Sequence, residues 1–212
     1  MTHPEPPTRC DTVRGMAEVW VVTGGIGSGK STISETLGSL GAVTIDADRV
    51  GHDVLGPEGP AFAEVADRWP FAVKEGRIDR SALARVVFSE PDQLRELEAI
   101  THPAIAASIA NLVEDAGDSV VVVEVSVPKD LAGAGWSRTI VADLAEEVRI
   151  ERLAARGMDE AEIRRRMSSQ PDRDGWRARG RWIVSTAGTR EEVAAAVERL
   201  WDQVMSRRGS DH

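Results

Sequence analysis

Nine residues, Gly24-Gly-Ile-Gly-Ser-Gly29-Lys30-Ser31-Thr32, follow directly on the apolar run Val19-Trp-Val-Val-Thr23 and lead into a segment of helical period from Ser31 to Leu40. The pattern is G-x-x-x-x-G-K-[ST], placed between a strand and a helix, the context that gives it a physical meaning. Glycines let successive backbone N–H groups turn inward around phosphate oxygens, where a side chain would block the approach. A helix beginning near Lys30 points its positive end at the same anion. Lys30 then brings an ammonium to the β- and γ-phosphates, and the Ser31 hydroxyl is a ligand for Mg²⁺. The bland alternative is a Gly-rich turn that holds nothing. Either way, a buried strand feeding a tight loop and a helix restricts the chain to α/β architectures.

The rest of the sequence repeats that unit. Short β-branched runs at Val43 to Ile45, Val120 to Val125, Thr139 to Ala142 and Trp182 to Val184 alternate with longer stretches of helical period, the signature of a parallel sheet with crossover helices. The helical patterns are Ala61 to Trp69, Ser81 to Phe88, Asp92 to Ile100, Ile105 to Ala116, Ala145 to Arg156, Glu160 to Met167 and Arg190 to Met205. Between Arg49 and Ala116 no strand is convincing. The expected fold is a three-layer α/β sandwich of the P-loop NTP-hydrolase type with a parallel sheet of about five strands. Residues 1–17, which hold Pro4, Pro6 and Pro7, read as a flexible leader, with Met16 an alternative start. Residues 18–208 read as a single domain, carrying a helical acceptor-binding insertion at about 49–116 and a lid at about 152–180; 209–212 are a tail.

Composition narrows the partners. A formal net charge of −9 argues against nucleic acid as the main ligand, since gripping its backbone needs a basic face. No secretory core and no run of about 18 apolar residues is present, so no membrane partner is expected. One cysteine, Cys10, excludes a disulfide framework and suits a reducing cytoplasm. Only Lys30, Lys74 and Lys129 are lysines, against 23 arginines. In so arginine-rich a chain, a lysine inside the glycine run stands out, because a compact ammonium fits a phosphate loop where a planar guanidinium does not.

Val43-Thr-Ile45 ends in Asp46-Ala47-Asp48, which puts two carboxylates at the carboxyl end of a strand, where open parallel sheets place their ligand crevice. Strand alternation would set both on one side. One of them can accept a hydrogen bond from an acceptor hydroxyl and aim it at the γ-phosphorus, although either can simply cap a helix starting near Arg49. Ser119-Val-Val-Val-Val-Glu124 ends in an acid in the same way, making Glu124 a candidate partner of Mg²⁺ beside Ser31, or else a strand-end residue in solvent.

The stretch Glu146 to Arg156 places Arg149, Arg152 and Arg156 on one helical stripe; Gly157 breaks the helix and Asp159 can cap the next, which carries Arg164 to Arg166. A helix, a break and a second helix, basic on one face, is the form of a lid closing on a nucleotide. A solvated, salt-bridged face is the simpler account of most of these arginines. Arg156, at the hinge, and then Arg152 are the two singled out.

On Thr23 to Thr32, Leu40-Gly-Ala42, Ile45-Asp-Ala-Asp48, Gly76-Arg-Ile-Asp-Arg-Ser-Ala-Leu83, Val87-Phe88 and Ile100-Thr-His-Pro103, the chain resembles the dephospho-CoA kinase family. The resemblance implies ATP as donor, Mg²⁺ as cofactor, and transfer to the ribose 3′-hydroxyl of dephospho-CoA. It places Asp48 against that hydroxyl, Arg156 in the lid, and Arg80 and His102 in the acceptor half of the cleft, His102 standing before Pro103 at a helix start. By the same resemblance Gly25, Ile26, Gly27, Ser28, Gly29, Lys30, Ser31, Thr32 and Arg152 hold the nucleotide, with Lys30, Asp48 and Arg156 the catalytic set. The second half departs from the family pattern: Glu124-Val-Ser-Val-Pro-Lys-Asp130 and Gly133-Ala-Gly135 follow the third strand, Arg149 replaces a Gln, and Gly180-Arg181 and Thr186-Ala-Gly188 flank the last strand, while Gln170 matches. Two other readings stand beside this one: a kinase of another small hydroxylated or nucleotide acceptor, and a nucleotide-binding paralogue without catalysis. A monomer or weak homo-oligomer is expected. Trp69, Trp136, Trp176, Trp182 and Trp201 read as packing residues.

Overall fold

The computed structural model describes residues 17–126 and 138–210. Lys129, Trp136, the segment at 133–135 and most of the leader lie outside the described residues. In chain order the elements are β1 (Glu18–Thr23), α1 (Lys30–Ser39), β2 (Val43–Asp46), α2 (Ala47–Asp53), α3 (Phe62–Arg68), the short strands β3 (Val73–Lys74) and β4 (Arg77–Ile78), α4 (Arg80–Val87), α5 (Pro91–Asp115), β5 (Val120–Glu124), β6 (Thr139–Asp143), α6 (Glu146–Ala155), α7 (Glu160–Ser168), α8 (Arg173–Arg177), β7 (Trp182–Ser185) and α9 (Arg190–Ser210).

Five strands form a parallel sheet in the order β2-β5-β1-β6-β7. Each is one of the five β-branched runs, and the three central strands β1, β5 and β6 are buried because alternate residues feed two different layers of helix, while the edge strands β2 and β7 bury only Ile45 and Val184. Val21, Ile45, Val121 and Val123 face a core shared with α2, α3, α4 and α5. Trp20, Val22, Val122 and Ile140 face the opposite core, closed by Ile33 and Leu37 of α1 and by Val193, Val197 and Leu200 of α9. Near-continuous apolar strands are what a sheet covered on both faces requires. β1 lies in the middle, with β5 on one flank and β6 on the other, so the loop after β1 leaves at the point where the crossovers change direction. That is where such sheets open a ligand crevice.

Three expectations are corrected, two in the region 49–116 and one just before it. β3 and β4 pair as an antiparallel hairpin, Val73 with Ile78 and Lys74 with Arg77, around Glu75 and Gly76, both at positive φ. Two-residue strands carry too little alternation to stand out. α5 is one helix of 25 residues with Pro103 inside it, not two helices with a start at His-Pro. Proline removes one helical N–H and crowds the preceding turn; here Thr101, the second residue before it, bonds back from Oγ1 to the Leu97 carbonyl at 2.8 Å, and Ile109 and Leu97 hold both halves against one core. α2 begins at Ala47, directly where β2 stops. Asp46 is its cap, accepting from the N–H groups of Asp48 and Arg49 at 2.9 and 3.2 Å. Asp46 and Asp48 are therefore not two residues on one strand face: the first ends the strand, and the second sits in the first helical turn.

Candidate active site

All five strands deliver their carboxyl ends to one edge, and the chemistry-bearing residues gather there. After β1 the chain turns through Gly24 to Gly29 and enters α1 at Lys30. Gly29, the N-cap, has φ 88°, a left-handed conformation that glycine adopts without a steric penalty. Lys30 folds back so that Nζ donates to the Gly24 carbonyl at 3.1 Å. Burial holds its ammonium below the ordinary lysine value, while Glu124 and Asp48 raise it and Arg149 lowers it further. Thr186, just past the end of β7, fastens the loop from beside it: Oγ1 donates to the Ser28 carbonyl at 2.5 Å.

The two strands on one side of β1, β5 and then β2, bring their acids into register. Asp46 of β2 pairs with Glu124 of β5, and Val22 of β1 also pairs with Glu124. Ser31 Oγ donates to Glu124 Oε1 at 3.0 Å, so the hydroxyl and carboxylate named as metal ligands from sequence stand together. Both are hard oxygen donors, the set that Mg²⁺ prefers when phosphates and water complete its shell. Ser126, just past β5, donates from Oγ to Asp48 Oδ2 at 2.8 Å. Asp48 thus has one oxygen held and the other directed elsewhere.

On the other flank, α6, α7 and α8 lie against the loop. α6 ends at Ala155 with Arg156 as its C-cap, Gly157 follows at φ 86°, and Asp159 caps α7 by accepting from the Ala161 N–H. The two helices and the loop share a small apolar cluster of Leu153, Ile163 and Met167 with Ile26 and Ile150. Gln170 Oε1 accepts from the Ile26 N–H at 2.9 Å. α8 is tied down by Asp143 at the end of β6, which takes a two-pronged contact from Arg173, both at 2.8 Å, and a third from Arg177 at 2.8 Å. The Arg173 guanidinium is the main reason the Asp143 carboxyl lies below its ordinary value, opposed by burial and aided by Arg177.

The arginine stripe separates into three environments. Arg149 is buried on the loop, Arg152 donates to the Thr186 carbonyl at 2.8 Å, and Arg156 is exposed at the helix end with no side-chain partner among the described residues. The salt-bridged face exists one helix later, where Arg164 and Arg166 pair with Glu160 and Glu162. Arg80, at the start of α4, meets His52 of α2; an arginine only donates, so Nε2 of the ring accepts. His102 is half-buried within α5, the helix on which α2 packs, with Gly51 of α2 against Ile105.

Sequence reasoning did not single out His52, Ser126, Asp143 or Trp176. Asp143 had a readable signal, since Thr139 to Asp143 ends in an acid as β2 and β5 do. Trp176 had none: it packs as expected, but onto the phosphate loop.

A sequence-family model for dephospho-CoA kinase matches residues 19–192. The chain belongs to the dephospho-CoA kinase family. Among its relatives, the dephospho-CoA kinase of Corynebacterium glutamicum is 37% identical over 196 residues, covering 88% of this chain and 96% of that one. The enzyme of Thermobifida fusca is 36% identical over 192 residues, with 88% and 96% covered. The solved dephospho-CoA kinase of Campylobacter jejuni superposes with a TM-score of 0.60 at 25% identity, over 89% of this chain and 98% of that one. The match runs through the second half as well, as far as residue 192.

Proposed function

We propose that this protein transfers the γ-phosphoryl group of ATP to the ribose 3′-hydroxyl of dephospho-CoA, giving CoA and ADP, the last step of coenzyme A biosynthesis. The match of residues 19–192 to dephospho-CoA kinases carries this reading. The convergence of Lys30, Ser31, Glu124 and Asp48 at one strand edge supports it.

In this reading Gly25 to Thr32 hold the polyphosphate and Lys30 offsets the charge that spreads over the transferred group. Asp48, with Oδ2 held by Ser126, accepts the acceptor's hydroxyl proton in a hydrogen bond and aims its oxygen at phosphorus. An ordinary aspartate is too weak a base to remove that proton early, so its work is orientation, with the proton leaving late as the new O–P bond forms and the bond to ADP breaks. Ser31 and Glu124 would hold Mg²⁺, which on binding neutralises phosphate oxygens. Arg152 and Arg156 serve the nucleotide from the lid, and Arg80 and His102 line the acceptor half, where His52 joins Arg80.

The purified protein, given ATP, Mg²⁺ and dephospho-CoA, is expected to release CoA and ADP in equal amounts. ATP binding without turnover of dephospho-CoA would overturn the assignment.

A further inference from the structure

Arg149 is 4% exposed, and its Nε has no hydrogen-bond partner. No ion pair to it is formed among the described residues. Glu146, Asp143 and Glu147 stabilise its charge only from a distance; Asp143, a strand-end carboxylate, is already shared by Arg173 and Arg177. A buried guanidinium without a carboxylate is costly, and a fold retains one where something else supplies the missing negative charge.

Its position says what that is. A Cβ placed on Gly25 would overlap the Arg149 guanidinium, lying 3.0 Å from Cζ, and would come within 3.3 Å of Trp176 Nε1. Trp176 is 3% exposed, and its indole N–H likewise has no acceptor. Two buried side chains from two different helices therefore converge on one residue of the phosphate loop, and each carries a donor without an acceptor, Nε of Arg149 and Nε1 of Trp176. Lys30 is bonded to the carbonyl of the residue before, Gly24. Two cations flank the same short piece of backbone, close enough that the charge on Arg149 disfavours the charge on Lys30. A low-dielectric pocket holding like charges focuses a positive potential on the loop.

We propose that Arg149 is a positioning residue for the nucleotide: a second fixed cation behind the phosphate loop, sealed from water by Trp176, that strengthens the loop's grip on the polyphosphate of ATP. It acts through the field at the loop and through the loop's shape at Gly25, and touches neither reacting atom. This rests on the kinase reading above.

The test uses the full chain, with Arg149→Gln removing the charge at similar length and Arg149→Lys keeping it. Calorimetric titration with ATP and with inorganic tripolyphosphate, at several salt concentrations, reads the polyphosphate grip with and without the base. Arg149→Gln is expected to bind both about tenfold or more weakly, with a shallower salt dependence, and Arg149→Lys to recover most of the loss. In turnover, KM for ATP rises in Arg149→Gln, while kcat at saturating ATP and KM for dephospho-CoA stay near wild type. Arg149→Gln binding tripolyphosphate as tightly as wild type overturns the proposal. So does a loss shared equally by kcat, both KM values and thermal midpoint, which marks a structural residue. Wild-type protein that binds neither ATP nor tripolyphosphate overturns the kinase reading and this proposal with it.

Discussion

Asp48 and Asp46 stand two positions apart and do different work. Asp46 spends its carboxylate on two backbone N–H groups at the start of α2, and Asp48 keeps one oxygen clear of Ser126. Asp48→Asn is expected to lower kcat by at least about 10²-fold while changing ATP affinity little, measured by steady-state kinetics beside calorimetry; equal loss in both would make Asp48 structural. Asp46→Ala is expected to act on stability, lowering it by about 1 kcal/mol in urea melts, as the loss of a helix cap does. The order of strand ends, loop and acids is legible in the sequence because each is a local pattern. Which aspartate caps and which is free is not, because that depends on where β2 stops and α2 begins, a single residue's difference in backbone angle. The partners of the free one are equally remote: Ser126 is 78 residues away.

At the scale of an element, α8 has the least support of its own. Five residues are too few to be stable as an isolated helix, so its position depends on the Asp143 carboxylate gripping Arg173 and Arg177. Asp143→Asn is expected to loosen α8 and lower the thermal midpoint, since it removes the carboxylate shared by two half-exposed arginines. The pH dependence follows from the lowered carboxyl of Asp143. A group whose folded value is depressed adds stability above its unfolded value, near 3.9, and loses it as pH falls through the folded value. The gap in thermal midpoint between wild type and Asp143→Asn should therefore hold constant from neutrality to about pH 5 and close below about pH 4. α8 is hidden in the sequence for the same reason that it needs the clasp: Arg173-Asp-Gly-Trp-Arg177 is too short for a helical period and contains a glycine. α5 is hidden in the opposite sense. Its Pro103 reads as a boundary, and only the packing of both halves onto one core keeps the helix continuous.

For the whole molecule, the sheet is the rigid part and its two helical layers divide the labour. α1 and α9 close one face with Ile33, Leu37 and Val197, each fully buried. Leu37→Ala is expected to cost about 2–5 kcal/mol, read as an earlier urea midpoint, with ATP affinity unchanged at temperatures where the protein is folded. The other face carries α2 through α5, and α6, α7 and α8 lie against the loop at the strand ends. No helix among the described residues is long and apolar enough to cross a membrane. The tryptophans are distributed along the same division. Trp20 stacks at tilted angles on Trp182 and Trp201, with ring centroids 5.6 and 5.5 Å away, inside the α9 core, whereas Trp176 lies on the phosphate loop. The three clustered indoles report on the α9 core, Trp69 on the opposite core, and Trp176 is the described indole that lies against the loop. Trp69→Phe is therefore expected to leave Trp176 as the described indole outside the α9 cluster, so that a change in its fluorescence on adding ATP, read by titration, reports on the loop.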